Sequence, residues 1–466
     1  MMLRRDASMI AKTAGGRLLT GMNQCFEAVS IDTRTLCVNS AFFCIKGPNF
    51  DAHDFIEEAI EKGASVIVVE HESAGKLPAT LGDEIAVVAV DNSAAALQAS
   101  ARAWADDNPA KIIGLTGSSG KTTTKDMLSA MLRTAGPTLA TEGNLNNHFG
   151  VPLTLWKIRP DHRFAVVEMG MNAPGEIEFL CGLAQPTFGL VTSVGEAHIE
   201  GVGSIEGVAR AKGELLRSLS ADCMAFYPSD IAHKDILCEG VLASQFTVGE
   251  HQNDLVRISK TTETDKGVDA QVVIDSVEYT VRMPMRGRHN LDNACLALAV
   301  VSHLELDISM ALAALSQLAP PAMRGELRYL QNGSEITLDC YNANPQSMRA
   351  AISTFSVRHP RGILALGDML ELGLSAPQAH SELGHYVFEH TPEAVLVGIG
   401  ELSRHLVDGA RTAGAPPEQL HWFDSAAAAG DFIVGQCDRE QAVLLKGSRG
   451  MRLEQIWDRL SQSERA

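Results

Sequence analysis

The chain has 466 residues, 45% hydrophobic and 21% charged, a composition that excludes global disorder and fits roughly two to four folded domains. With 57 acidic against 39 basic side chains its formal net charge is −18, which excludes a general nucleic-acid or anionic-membrane binder but leaves room for a local positive pocket. No apolar run reaches the roughly 20 residues of a membrane span, no apolar stretch follows Arg4 and Arg5, and nine cysteines lie singly without a CxxC pair, so a reduced, cytoplasmic protein with no membrane insertion and no nucleic-acid partner is expected.

In chain order, β-rich apolar runs predict strands over residues 41–45, 66–70 and 85–90, and helical patterns cover 54–62 and 93–105. The polar stretch 105–110, with Asp106, Asp107, Asn108 and Pro109, reads as a linker. Strands over 112–116, 164–168 and 188–193 then alternate with helices over 122–134 and 204–219. Residues 245–282 are short, alternating and broken by polar turns, as in a β-hairpin appendage, and a helix follows over 291–304. Ala319-Pro320-Pro321 is a second break, after which strands over 335–339, 363–367, 395–398 and 443–446 alternate with helices. This alternation predicts an α/β fold in three domains: a small N-terminal α/β domain (1–108), a central, mostly parallel P-loop ATPase-like sheet (109–320) and a C-terminal Rossmann-like domain (321–466).

The sharpest signal is Lys111-Ile-Ile-Gly-Leu-Thr-Gly-Ser-Ser-Gly-Lys-Thr-Thr. An apolar strand runs through Gly117, Ser118, Ser119 and Gly120 into a helix that opens at Lys121 and Thr122. Glycines let backbone N–H groups converge on an anion, the helix start adds partial positive charge, Lys121 suits the β- and γ-phosphates, and the Thr122 hydroxyl suits Mg²⁺. The general phosphate-loop pattern wants a glycine where Leu115 stands; here it is Gly114. A glycine- and serine-rich turn with a surface lysine is the competing reading.

A magnesium-side carboxylate belongs at the end of a neighbouring strand, and Glu168 follows four apolar residues and precedes Met169-Gly170. His198 lies in the loop after the next strand. Taken alone, each could be an ordinary surface side chain. On the 204–219 helix the apolar stripe is Ile205, Val208, Ala209, Leu215 and Leu216, and Lys212 falls on it, at i+4 from Val208. A lysine there must be paired, neutralised, modified, or long enough to reach solvent.

These residues together resemble the Mur ligase family of amide-forming ATPases, over essentially the whole chain. Thr116-Gly-Ser-Ser-Gly-Lys-Thr-Thr is similar to that family's form of the phosphate loop, displaced glycine included. Glu168, the His198 loop and Ala211-Lys212-Gly-Glu214 stand in the family's order. Gly287-Arg-His-Asn290-Leu-Asp-Asn293-Ala is similar to its G-x-H-N-x-x-N-A segment, Arg324 to its arginine at the entry to the third domain, and Asp339 to the aspartate that reaches the ATP ribose. Four further stretches look like the family member that adds a D-alanyl-D-alanine dipeptide. They are Ser30-Ile-Asp-Thr-Arg34 with Lys46-Gly47 and Asp51-Ala-His-Asp54, Gly143-Asn-Leu-Asn-Asn147, Asp339-Cys-Tyr-Asn-Ala-Asn-Pro345 and Leu444-Leu-Lys-Gly-Ser-Arg449. The D-N-P-R motif of the diaminopimelate-adding member is absent.

The resemblance implies an ATP-dependent ligase of peptidoglycan precursor synthesis, acting as a cytoplasmic monomer through an acyl phosphate. It implies ATP binding by Gly117, Ser118, Ser119, Gly120, Lys121, Thr122, Thr123, Asn290, Asn293, Arg324 and Asp339, and catalysis by Lys121, Glu168, His198 and Lys212. Two Mg²⁺ would be held by Thr122, Glu168, His198 and a carbamylated Lys212. UDP-N-acetylmuramoyl-tripeptide would occupy the first domain and D-alanyl-D-alanine the third. Substrate contacts would come from Ser30, Thr33, Arg34, Lys46, Gly47, Asn144, Asn146, Asn147, Tyr341, Asn342, Asn344, Lys446, Ser448 and Arg449. The alternatives are another amino-acid-adding ligase of the family, a P-loop kinase, or a nucleotide switch, although the N-K-x-D motif of GTPases is absent.

Overall fold

A computed structural model describes every residue except 1–3, 21–23, 80, 83, 265–266, 438–440 and 464–466. The outer ends of the expected segments 1–108 and 321–466, and part of 245–282, therefore lie outside the described residues. Three sheets follow one another along the chain.

The first sheet runs, in spatial order, Arg17–Thr20, Ala86–Val90, Ala64–Glu70, Ser40–Phe43, Ala28–Ser30. Only the Arg17–Thr20 pairing is antiparallel. Val66, Ile67, Val68 and Val69 are buried on both faces, as a continuous apolar run in a covered parallel sheet requires. The helix Ser93–Asp106 starts on Asn92, whose Oδ1 accepts the Ala95 N–H at 2.7 Å. It extends through Ala105, so the expected linker shrinks to residues 107–110, and even there Asn108 is buried and donates to the Trp104 carbonyl at 2.7 Å.

The central sheet has nine strands, in the order Val277–Met283, Val268–Ile274, Val256–Glu263, Ser244–Gly249, Met224–Pro228, Phe188–Val191, Lys111–Thr116, Phe164–Glu168, Thr138–Ala140. All neighbours from Val256–Glu263 onward are parallel, and Val268–Ile274 runs antiparallel between Val256–Glu263 and Val277–Met283. The expected hairpin appendage over 245–282 is thus corrected: Ser244–Gly249 pairs with Met224–Pro228, and the strands after it prolong the main sheet. The reason is packing. Val268, Ala270, Val272 and Ile274 bury one face in the same core as the helices Arg288–His303 and Ile308–Ser316, and alternation alone cannot separate a free hairpin from a sheet edge capped by helices.

The third sheet runs Glu326–Tyr329, Glu335–Asp339, Val443–Lys446, Ile363–Gly367, Val395–Ile399, Leu420–Phe423, and only the first pair is antiparallel. The strands Arg17–Thr20, Ala28–Ser30, Thr138–Ala140, Met224–Pro228, Glu326–Tyr329 and Leu420–Phe423 lie outside the expected set; each has only three to five residues. Among the described residues no helix is long and apolar enough to cross a membrane.

The first and central sheets share one hydrophobic core. Trp104 stacks on Trp156 with ring centroids 5.8 Å apart, Phe26 meets Trp156 edge-on at 5.4 Å, and the Arg5 guanidinium lies 4.5 Å over Trp104 while donating to the Trp156 and Ile158 carbonyls.

Candidate active site

The loop between Lys111–Thr116 and the helix Lys121–Arg133 accepts only glycine at two points. A Cβ on Gly117 would fall 1.9 Å from Thr192 Oγ1, and one on Gly120, which has φ 83°, would fall 2.5 Å from Asn293 Oδ1. The loop is tied to the exit of the neighbouring strand. Ser119 N donates to Ser193 Oγ at 2.9 Å, and Ser118 Oγ both donates to and accepts from Gly195, each at 3.0 Å. Lys121 Nζ folds back onto the Gly117 carbonyl at 2.6 Å. Burial pulls its pKa below the ordinary lysine value; Glu168 opposes that and Arg324 adds to it. A lysine so placed gains from an incoming polyphosphate.

Glu168 ends its strand beside this loop. Its Oε2 accepts from Thr122 Oγ1 at 3.1 Å and its Oε1 from Asn146 Nδ2 at 2.9 Å. Arg324, from beyond the second break, donates to Thr122 Oγ1 at 3.1 Å. A hydroxyl and a carboxylate meeting at the end of two parallel strands form the oxygen-donor set a hard divalent cation takes.

His198 lines the same cleft. No hydrogen bond or ion pair joins it to Glu168; its Nδ1 lies 2.9 Å from Glu371 Oε2, on the third sheet's side. Lys212 is 1% exposed on the helix Ile205–Arg217 and does not line the cleft. It has no hydrogen-bond or ion-pair partner among the described residues, and burial, with the charge of Lys121, pushes its pKa well below the ordinary value. No group of three or more His, Cys, Asp and Glu side chains able to hold a metal is found among the described residues. Of the expected metal set, Thr122 and Glu168 meet directly, and no hydrogen bond or ion pair joins them to His198 or Lys212.

The third sheet closes the cleft, which encloses about 620 Å³. Asp339 and Lys446 end adjacent parallel strands in register and pair at 2.8 Å, with Lys446 buried; its Nζ also donates to the Asn342 carbonyl at 3.2 Å. The Arg324 guanidinium stacks 4.1 Å over the Tyr341 ring. Asn344 caps the helix Pro345–Ser356 in a reciprocal box with Ser347, and its Nδ2 reaches the Ser118 carbonyl at 3.3 Å.

Of the expected residues, Ser118, Ser119, Gly120, Lys121, Thr122, Thr123, Asn144, Asn146, Asn147, Glu168, His198, Asn290, Asn293, Arg324, Asp339, Tyr341, Asn342, Asn344 and Lys446 line this one cleft. Gly117, Lys212, Ser448 and Arg449 do not: Ser448 Oγ accepts from Leu370 N at 3.0 Å, and Arg449 pairs with Glu454 at 2.6 Å. Ser30 ends a strand of the first sheet, and Thr33, Arg34, Lys46 and Gly47 lie in the segments that follow its strands; none of them lines the cleft. There Ser30 and the segment leading to Lys46 leave the carboxyl ends of adjacent parallel strands, where open α/β sheets take ligands. Arg34 is held by Asp32 at 2.6 Å.

Two groups escaped the sequence reading. One is Glu371, in the loop that leaves the carboxyl end of Ile363–Gly367; the positional rule that found Glu168 points to it as well. The other is Arg286, which joins Glu335 of the third sheet at 2.5 Å, with His359 Nε2 3.0 Å from the same carboxylate.

The Mur ligase middle domain matches residues 115–301, the Mur ligase glutamate ligase domain residues 323–449, and the catalytic domain of the Mur ligase family residues 26–105. The chain is 33% identical to the UDP-N-acetylmuramoyl-tripeptide–D-alanyl-D-alanine ligase of Bacillus subtilis over 99% of both chains, and 32% identical to that of Escherichia coli over 94% of both. The crystal structure of MurF from Acinetobacter baumannii superposes with a TM-score of 0.88 over 99% of both chains at 29% identity. MurF from Thermotoga maritima, solved in complex with ADP, shares the fold with a TM-score of 0.79 at 23% identity over 94% of this chain and 98% of its own.

Proposed function

The chain belongs to the Mur ligase family, and on that premise we propose that it is the ATP-dependent ligase joining D-alanyl-D-alanine to UDP-N-acetylmuramoyl-tripeptide in peptidoglycan precursor synthesis. One observation supports this above the others: Arg324 and Asn344, from beyond the central sheet, reach Thr122 and Ser118 of the phosphate loop. A nucleotide held there would touch two separately folded sheets, and the walls between them leave room for an acceptor and an amine.

A carboxylate is a poor electrophile because its leaving group would be oxide. Transfer of the ATP γ-phosphoryl group makes it an acyl phosphate; the amine attacks the carbonyl, the C–N bond forms, the nitrogen gives up a proton to solvent, and phosphate leaves with the C–O electron pair. Residues 117–122 hold the triphosphate, and Lys121 offsets the charge on the transferred group. Asp339 holds the ribose, and Asn290, Asn293 and Arg324 border the nucleotide. The first sheet takes the UDP-sugar at Ser30, Thr33, Arg34, Lys46 and Gly47. Tyr341, Asn342 and Asn344 face the dipeptide. Closure of the third sheet over the cleft excludes water, which would otherwise hydrolyse the acyl phosphate.

Thr122 and Glu168 would hold one magnesium ion, and His198 with a carbamylated Lys212 a second. Bound magnesium shields two anions which, about 4 Å apart at an effective dielectric of 20, repel by about 4 kcal/mol. Lys212 suits carbamylation because the reaction needs a neutral amine: its nitrogen adds to CO₂, releases a proton, and leaves an anionic carbamate in place of a cation. The enzyme so described works as a cytoplasmic monomer.

The deciding experiment measures ADP release with UDP-N-acetylmuramoyl-tripeptide and D-alanyl-D-alanine, together and separately. Release that requires both, with the amide-linked product found by mass spectrometry, supports the ligase. Full release with the tripeptide alone identifies a kinase, and release with neither identifies a nucleotide hydrolase.

A further inference from the structure

His198 and Glu371 face each other across the boundary between the central and third sheets, and both backbones are unusual. His198 has φ 59° and Glu371 φ 64°, in the left-handed region that side chains other than glycine seldom adopt. Strain of this kind persists only where the surroundings hold it, and it gathers at functional sites.

Both loops are held. On the third-sheet side, Met369 N donates to His380 Nε2 at 3.0 Å, Leu370 N donates to Ser448 Oγ at 3.0 Å, and Leu372 is buried. On the central side, the loop leading to His198 is locked to the phosphate loop through the two Ser118–Gly195 hydrogen bonds. The loops touch: a Cβ on Gly373 would stand 3.3 Å from Glu200 Cβ. Between these anchored loops His198 Nδ1 stands 2.9 Å from Glu371 Oε2.

His198 lines the cleft and Glu371 does not. A carboxylate that accepts from Nδ1–H fixes the tautomer and the ring plane, and leaves the Nε2 lone pair free for the site. We propose that Glu371 is a positioning residue: it holds the His198 ring from the third sheet, so that His198 takes its working orientation only when that sheet has closed on the phosphate loop. The proposal rests on the ligase reading for what His198 then does, but not for the orientation itself. Closure and site assembly become one event, and nucleotide bound with the third sheet open finds an incompletely set histidine.

The test uses the full chain and the variants Glu371→Ala and Glu371→Gln, the second keeping a side-chain oxygen that can accept from Nδ1–H. Ligase kcat should fall ten- to a hundredfold in Glu371→Ala and only a few fold in Glu371→Gln, with KM for ATP unchanged in both. The second readout is independent of turnover. Ring ¹⁵N spectra of histidine-labelled protein with a non-hydrolysable ATP analogue, with His198 assigned by its loss in His198→Gln, should show Nδ1–H fixed in the parent and Glu371→Gln. In Glu371→Ala the tautomers should average. A parental spectrum in Glu371→Ala overturns the proposal, as does an unchanged kcat. If the parent chain shows no ligase turnover, it is the proposed function that fails, and the spectra still decide whether Glu371 orients His198.

Discussion

The molecule has two seams, and they are built from opposite chemistry. Between the first and central sheets the contact is apolar: Phe26, Trp104 and Trp156 lie in one continuous core. Between the central and third sheets the contacts are polar and directional: Arg324 to Thr122, Asn344 to Ser118, Glu371 to His198, Glu335 to Arg286. An apolar seam gains from every contact at once and loses most of that on partial opening. A polar seam can exchange each bond for one to water at small net cost. The first is suited to hold a binding surface at a fixed distance from the phosphate loop, the second to open and close over it.

The largest effect is expected at the phosphate loop. Lys121→Ala should abolish ADP release, a loss of at least about a thousandfold for an oriented charge on a transferring group, while the melting temperature stays near that of the parent. Near-normal turnover in the folded variant would remove the chemistry from the polar seam altogether.

Trp156→Ala should do the reverse. Truncating a buried indole costs about 3–5 kcal/mol, and because the core is shared the first and central sheets should unfold in a single transition at lower denaturant. Two separate transitions would show that the apolar seam is not one core.

Lys212→Ala should lose ligase activity by about a hundredfold or more while binding ATP with parental affinity in calorimetry, since the residue does not line the cleft. A small carboxylic acid at high concentration should restore part of the rate, and Lys212→Arg should not, because a permanent cation replaces the anion. Equal loss of ATP affinity would instead mark Lys212 as a packing residue.

The smallest effect concerns Glu335, buried in the polar seam. Burial alone would raise its carboxyl pKa, but hydrogen bonds from His359 and Arg286, with the charge of Arg286, hold it at about 2 against an ordinary value of 4.5. The folded state therefore binds fewer protons than the unfolded chain between those values. The group's stabilising contribution is complete above about pH 4.5 and is lost as pH falls towards 2. Glu335→Gln should lower stability at pH 7 and flatten the acid limb of denaturant midpoints measured from pH 5 to pH 2.5; an unchanged limb would take Glu335 out of the seam's energetics.

Much of this architecture is legible in the chain because parallel strands buried on both faces write long apolar runs, as in Val66–Val69 and Phe164–Val167, and because the phosphate loop needs glycine where Gly117 and Gly120 stand. What stays hidden is short or long-range. Thr138–Ala140 has three residues at a sheet edge and Met224–Pro228 only five, ending in a proline, so neither is long enough to stand out. The true place of 244–283 depends on helices that arrive only at Arg288–His303. The site divides the same way. Glu168 is announced by the strand before it and Lys212 by the stripe it interrupts. Glu371 has the same strand-end position as Glu168, but its partner and that of Arg286 stand 173 and 49 positions away, and no local spacing encodes those pairings.

The tandem of Trp104 and Trp156 has an optical consequence. The chain has four tryptophans, and the other two, Trp422 and Trp457, sit on the third sheet's side beneath Arg404 and Arg328 at 4.0 and 5.0 Å. Two indoles in the apolar seam and two in the closing body, none on the wall of the cleft, divide the intrinsic fluorescence by region without any label. Emission from Trp422→Phe/Trp457→Phe protein reports the fused pair of sheets, and emission from Trp104→Phe/Trp156→Phe protein reports the third, so the melting of each body can be followed by its own light.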